Sequence, residues 1–402
     1  MPRRAASAAS CSRRAPATTP PRRCTRRRGT RSCRSSASTW ARSSASAWRR
    51  IWGSIAPPRS PGAPVTRTRP SGGRGGRRRS RTLLAAAAIA GALGATAALS
   101  GFHLPLSEID PGPAKAASEV AGPEIIGIRT FEAPAGVGVE PDLEYGVRDD
   151  GTLLTLDVCS PPGAALGVPL PAVVSVHGGS WARGDKANAD WRKVCLWLAS
   201  EGFIAASVNY RLVPDATFPA QIDDVSLAVE WLREPAQAER FGIDPARIGV
   251  FGGSAGGNLA ALLGARGEGA TDTGARVAAV AELSGPVMLD SLAGASEWLR
   301  GISAAYLGCG VDEVANVSDG GCERAADASA TTFLDASDPP VFIGHAESEI
   351  IPLAQSLGYA NALEAAGVPV ELAVVPGDEH SIGILDEALR ARVAAFLHKH
   401  LG

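Results

Sequence analysis

The chain has 402 residues, with 40 Lys and Arg against 41 Asp and Glu and 45% hydrophobic residues, which is enough to build a domain with a sizeable core. Its formal charge of −1 averages two unlike parts: residues 1–82 hold 22 basic residues and no acid, and the rest hold 18 bases against 41 acids, a balance of −23. So acidic a body argues against a nucleic-acid partner, because phosphate binding requires a basic surface.

In chain order, residues 1–82 are rich in Arg, Ser, Pro and Ala and have too little apolar surface to fold alone, so they are expected to be disordered. Residues 1–64 also have the mix of GC-rich DNA read out of frame, and Met1 and Met288 are the only methionines. A true start further in, at a codon such as that of Val65, is therefore expected. Residues 83–106 form a nearly uncharged run, LLAAAAIAGALGATAALSG and onwards, behind Arg77, Arg78, Arg79 and Arg81. A basic flank before an apolar run is the order of an export signal, with Ala95-Thr96-Ala97 or Ala114-Lys115-Ala116 as small-residue cleavage sites. A retained anchor is the alternative, although the Ala and Gly content is poorly hydrophobic for a span. The protein is thus expected to be secreted or held in the cell envelope, touching a membrane only through such an anchor. Residues 107–135 read as a linker and 136–402 as a catalytic domain.

Cys11, Cys24 and Cys33 belong to the head, leaving Cys159, Cys195, Cys309 and Cys322 in the body. An even number in an oxidising compartment fits disulfides. Four cysteines permit three connectivities; Cys309 and Cys322 bracket a Gly- and Asp-rich loop and are expected to pair. No C-x-x-C or nearby His pair supports zinc.

The body alternates apolar β-rich runs with helical patterns, the signature of a mostly parallel sheet covered by helices on both faces. Strands are predicted at 153–158, 172–176, 204–208, 247–251, 277–283, 341–344 and 370–375, and helices at 220–232, 258–263, 353–366 and 386–401. Residues 286–335 lack a strong period and read as an irregular insertion over the upper edge of the sheet.

Three motifs follow predicted strands, where open α/β sheets place their ligands. His177-Gly178-Gly179-Ser180-Trp181 follows AVVSV; glycines let the backbone N–H groups approach a developing oxyanion closely. His177 reads as a residue holding this loop, and Trp181 as either a substrate wall or core. Gly252-Gly253-Ser254-Ala255-Gly256 lies between the strand RIGVF and a helix. Small residues around Ser254 permit the sharp turn that exposes a nucleophilic hydroxyl, and the helix N-terminus favours negative charge. The plain alternative is a Gly-rich turn with a capping serine. Gly377-Asp378-Glu379-His380 follows VELAVV; an imidazole is the suitable proton acceptor for a hydroxyl, and His380 has the chain order nucleophile, acid, base. Asp223 and Asp224 read as ordinary helix N-terminal acids, Asp244 as a turn residue, and His398 and His400 as surface.

These motifs, with NYRLVPDATFPAQIDDV from Asn209 to Val225 and the closing PGDEH, resemble the esterase branch of the α/β-hydrolase superfamily. The likeness is to hormone-sensitive-lipase-like and feruloyl- or acetyl-esterase-like members, over about residues 140–400. The resemblance implies an α/β-hydrolase fold and a carboxylic ester hydrolase acting on small-molecule esters without metal or organic cofactor. Ser254 would be the nucleophile, His380 the base, and Gly178, Gly179 and Ala255 the oxyanion donors. One stretch departs from the family. Where such proteins carry HGxxDxxVP, this chain has Gly344-His345-Ala346-Glu347-Ser348-Glu349-Ile350-Ile351-Pro352, which puts Ser348 at the position of the acid. A shift of one residue gives Glu349, the expected acid, ahead of Glu347 and then of Asp335, Asp338 or no acid at all. His345 reads as a solvated or packed loop residue. Two rival functions stay open: an amidase or formamidase with the same mechanism, and a catalytically weakened hydrolase-fold binding protein.

Overall fold

The computed structural model describes residues 126–164, 167–292, 294–315 and 321–402. The Arg-rich head and the expected signal at 83–106 lie outside them. Among the described residues no helix is long and apolar enough to cross a membrane.

Eight strands form one sheet: β1 (Gly138–Val147), β2 (Leu153–Ser160), β3 (Leu170–Val176), β4 (Ile204–Val208), β5 (Ile243–Gly253), β6 (Ala279–Leu283), β7 (Val341–Ala346) and β8 (Val370–Val375). Their spatial order is β1-β2-β4-β3-β5-β6-β7-β8. β1, β2 and β4 pair antiparallel and the remaining neighbours parallel. The central runs AVVSV, IAASV and AVAEL are buried throughout, as strands covered on both faces must be. β1 escaped the sequence reading because Pro141, Gly138 and three acids interrupt its apolar pattern. An outer strand tolerates these residues because one of its edges has no ladder to maintain.

The covering helices are α1 (Ala189–Ser200), α2 (Ala220–Arg233), α3 (Pro235–Phe241), α4 (Ala255–Ala265), α5 (Glu297–Leu307), α6 (Val311–Ala315), α7 (Arg324–Asp327), α8 (Leu353–Ala366) and α9 (Glu387–Leu401). α4 is buried along its whole length, which its sequence AGGNLAALLGA allows: small residues let the helix sit close to β5 and β6. Trp191, Trp197, Phe251, Phe342 and Leu397 are among the residues of the core beneath the opposite face.

Two expectations are corrected. The insertion at 286–335 contains a regular helix, α5, opened by the Ser296 hydroxyl accepting from Leu299 N–H at 3.1 Å and closed by Gly308 at φ 69°. Its stripe of Leu299, Ile302 and Tyr306 is too short between small residues to announce itself in the sequence. The expected linker at 107–135 ends inside the fold: Ile128 is buried in the core, and Arg390 Nη1 donates to the Gly127 carbonyl at 3.3 Å. Cys309 does pair with Cys322, and Cys159 on β2 pairs with Cys195 on α1.

Candidate active site

The three motifs meet at the carboxyl ends of β3, β5 and β8. β5 runs directly into α4 through Ser254, whose backbone takes φ 58° and ψ −123°. That turn has no room for side chains beside it, since a Cβ on Gly252 would lie 2.1 Å from the Gly256 carbonyl oxygen and one on Gly256 2.1 Å from that of Val176. Ser254 N–H donates to the Leu283 carbonyl at 2.8 Å. Its hydroxyl makes no capping bond to α4 and instead lies 2.8 Å from His380 Nε2. On the far side of the ring, His380 Nδ1–H donates to Glu349 Oε2.

Sequence reasoning placed Ser254, His380 and Glu349 as candidates, and the structure brings all three into one chain of hydrogen bonds. The other acids lie apart. Glu347 is exposed, Asp335 accepts from Ser337 N–H, and Asp338 pairs with Arg276 at 3.1 Å. The Glu349 carboxylate has no exposed surface. Burial alone would raise its pKa, but His345 and His380 outweigh that penalty and hold it down at about 2. Glu349 is therefore ionised, and its Oε2 also accepts from Ile351 N–H at 3.2 Å.

Backbone N–H groups line the opposite side of the hydroxyl. Gly178 packs against the nucleophile turn, so that a Cβ there would lie 3.1 Å from Ser254 Cβ. Gly179 adopts φ 120°. Among the described residues, the N–H groups of Gly178, Gly179 and Ala255 donate to no backbone carbonyl in a loop or turn. His177, which precedes them, is buried and stacks on Tyr210 at 4.4 Å, and its Nδ1 contacts the Gly178 carbonyl at 2.8 Å. Burial lowers its pKa to about 4, so it stays neutral and holds the loop. Trp181 is fully buried, stacked at 4.1 Å on Tyr306 of α5, which settles it as core.

Further along the same loop, Lys186 is buried with its ammonium 2.8 Å from Asp157 on β2. Its N–H donates to Asn209 Oδ1 at 2.7 Å, and Arg192 of α1 also pairs with Asp157. Asp224, read from sequence as helix-end charge, is instead wholly buried, bound by Arg148 at 2.6 Å and Arg211 at 2.9 Å. Asp244 shapes its turn as expected, accepting from Ala246 N–H at 3.0 Å.

Three further residues escaped the sequence reading, and a fourth, His345, read there as a loop residue, lies instead on a buried strand. Ser381, at φ 59°, donates its N–H to Ser284 Oγ at 3.1 Å and so ties the residue after His380 to the end of β6. Glu282 on β6 is fully buried, with Oε2 accepting from Gly285 N–H at 2.8 Å and Oε1 unpartnered. Burial pushes it up to about 8, against the opposing pull of that bond, so it is protonated at neutrality. His345 is buried on β7 with Nε2 2.8 Å from Glu349 Oε1. Only Ser284 carried a signal, the small-residue run Ser284-Gly285-Pro286 after a strand.

The reactive groups open into a cleft of about 430 Å³, the size of small-molecule sites. Its lining combines the polar Arg183, Asn188 and Asp190 with the apolar Trp191, Trp298, Ile350 and Ile382. Among the described residues, no cluster of His, Cys, Asp and Glu is arranged to hold a metal.

Residues 156–363 match the BD-FAE family. The chain is 32% identical over 279 residues to ethyl acetate hydrolase of Pseudomonas putida, an alignment covering 63% of this chain and 81% of that protein. It is 30% identical over 262 residues to esterase LipQ of Mycobacterium tuberculosis, covering 63% and 59%. It spans less than two thirds of the length of the first curated relatives it matches, 23% in neutral cholesterol ester hydrolase 1 of Rattus norvegicus. In three dimensions it is similar to a truncated carbohydrate esterase from gut microbiota, with a TM-score of 0.55 and 22% identity, over 67% of this chain and 99% of the other. That likeness concerns the fold, which is the α/β-hydrolase fold.

Proposed function

The chain belongs to the BD-FAE family, and from that premise we propose that it is a carboxylic ester hydrolase working through an acyl-enzyme on Ser254. The observation that carries this reading is the unbroken line Ser254 Oγ, His380, Glu349.

His380 Nε2 takes the hydroxyl proton as Ser254 Oγ attacks the ester carbonyl. Charge moves to the former carbonyl oxygen, facing the N–H groups of Gly178, Gly179 and Ala255 at the N-terminus of α4, where donors are worth about 3 to 4 kcal/mol each. The imidazolium then returns its proton to the departing alcohol. Glu349 holds the tautomer with Nδ1–H and stabilises the cationic ring. Water repeats the sequence on the acyl-enzyme and releases the acid. Glu349 in contact with His380 supports catalysis over a weakened hydrolase that only binds. Aryl formamides tested beside short p-nitrophenyl esters separate ester from amide preference.

The test is Ser254→Ala. It should abolish labelling by a fluorophosphonate probe and lower kcat on p-nitrophenyl acetate by on the order of 10⁶. Undiminished turnover in that variant refutes the assignment.

We further propose that the enzyme acts outside the cytosol, in the medium or cell envelope. This location is supported by the apolar run at 83–106 behind its arginines and by two disulfides within the body. Fractionating cells that express the full chain tests it, and activity confined to the cytosol contradicts it.

A further inference from the structure

The acid in contact with His380 stands one residue later than the resemblance implies, on a side chain one methylene longer. Such a side chain needs something to fix the rotation of its carboxylate. Oε2 is fixed by His380 Nδ1–H and Ile351 N–H. Oε1 faces the interior, fully buried, and no aligned hydrogen bond reaches it. What it meets is His345 Nε2 at 2.8 Å. That nitrogen also lies 3.0 Å from the Ile351 carbonyl oxygen. Both neighbours are acceptors, so Nε2 carries the proton; it is aimed at the carbonyl and reaches Oε1 off axis. On its other side His345 Nδ1 contacts Ser356 Oγ of α8 at 2.7 Å, and Ser356 is fully buried.

His345 stands where the ungapped alignment puts the family's glycine, and Ser348 where it puts the aspartate. His345 and the displaced acid meet in space, Nε2 lying 2.8 Å from Glu349 Oε1. We infer that His345 is a positioning residue which compensates for the displaced acid: its Nε2–H, clamped between Ile351 O and Glu349 Oε1, holds the carboxylate in the rotation that serves His380. Without it, one oxygen of a buried carboxylate would have no partner, and the carboxylate would turn or take up a proton. Glu282 is the other titratable group at this spot, and being protonated it leaves Glu349 as the negative charge between two imidazoles.

This inference rests on the esterase reading, and the experiment separates the two. His345→Asn and His345→Gln carry the same amide at different reach: Gln brings its N–H to the position of Nε2, and Asn reaches only towards Ser356. The full chain of each is assayed on p-nitrophenyl acetate, with folding checked by near-ultraviolet circular dichroism. His345→Asn should lose about 10- to 100-fold in kcat with KM changed less than about threefold, the scale expected when a catalytic group is misplaced by about an ångström. His345→Gln should regain most of that loss and keep the downfield proton resonance of the His380–Glu349 bond. Equal losses in both variants, or no loss in folded His345→Asn, overturn the inference while an inactive Ser254→Ala leaves the esterase reading standing. An active Ser254→Ala overturns that reading instead. If His345→Asn does not fold, His345→Gln decides through the resonance, whose absence overturns the inference.

Discussion

Replacing Glu349 by glutamine keeps the size of the side chain and removes its charge. In the native site both carboxylate oxygens face N–H groups: His380 Nδ1 and Ile351 N on one side, His345 Nε2 on the other. A glutamine can offer an oxygen to only one of them. If its oxygen faces His380, its NH₂ opposes His345 Nε2–H, donor against donor in a buried place. If it turns round, its NH₂ opposes His380 Nδ1, and the imidazole is driven to the tautomer with hydrogen on Nε2. That hydrogen points at Ser254 Oγ, 2.8 Å away, and the ring can no longer accept the proton. Loss of the triad's acid function costs about 10⁴ in rate, equivalent to about 5 kcal/mol of barrier. The assay is kcat and KM for p-nitrophenyl acetate on protein shown to melt as the parent does, with the exposed Glu347→Ala as control. Glu349→Gln should fall by about 10⁴ in kcat and Glu347→Ala should be unchanged. A folded Glu349→Gln within tenfold of the parent refutes the assignment of the acid.

Other expectations can be checked separately. Gly179→Ala puts a Cβ 2.1 Å from the Arg183 carbonyl oxygen at a φ of 120°; the displaced loop should lose about 10²- to 10³-fold in kcat, and an active variant would contradict the oxyanion role. Glu282 has its folded pKa raised from 4.5 to about 8, so the stability it supplies is complete below the unfolded value and is lost as pH rises through the folded one. Melting temperatures of the parent should therefore decline relative to Glu282→Gln from mildly acidic to alkaline pH, and parallel curves would exclude this. Cys159–Cys195 spans 36 residues and Cys309–Cys322 spans 13; by loop entropy their removal should cost about 4 and 3 kcal/mol, so urea denaturation of Cys195→Ser should show the larger loss.

What the sequence disclosed about this site depended on how local each signal was. Ser254 announces itself because the turn's demands fall within five consecutive residues between a strand and a helix. His380 was legible from a post-strand loop and chain order. Glu349 was legible only to within a residue, since the choice among 347, 348 and 349 depends on the path of the backbone beyond β7, where Ser348 N–H donates to the Gly377 carbonyl and Glu347 N–H to that of Val375. His345 was invisible as a partner of the acid, because the contact exists only once β7, the following loop and α8 are packed. Asp224 and Lys186 share that difficulty: a buried ion pair has the same letters as a surface one. The parallel strands were legible from unbroken apolar runs, whereas β1, polar and proline-bearing at the sheet's edge, had no such mark.

The stacking of Trp181 on Tyr306 joins two parts that an engineer would wish to treat separately. Tyr306 belongs to the segment that borders the cleft, where Trp298 also resides, while Trp181 shares its backbone with Gly178 and Gly179. Exchanging residues 286–335 with those of a relative to redirect selectivity would thus also change the support of the loop that carries Gly178 and Gly179. Grafted chimaeras should accordingly be screened for turnover as well as preference, and complementary substitutions at 181 and 306 should travel with the transplanted piece.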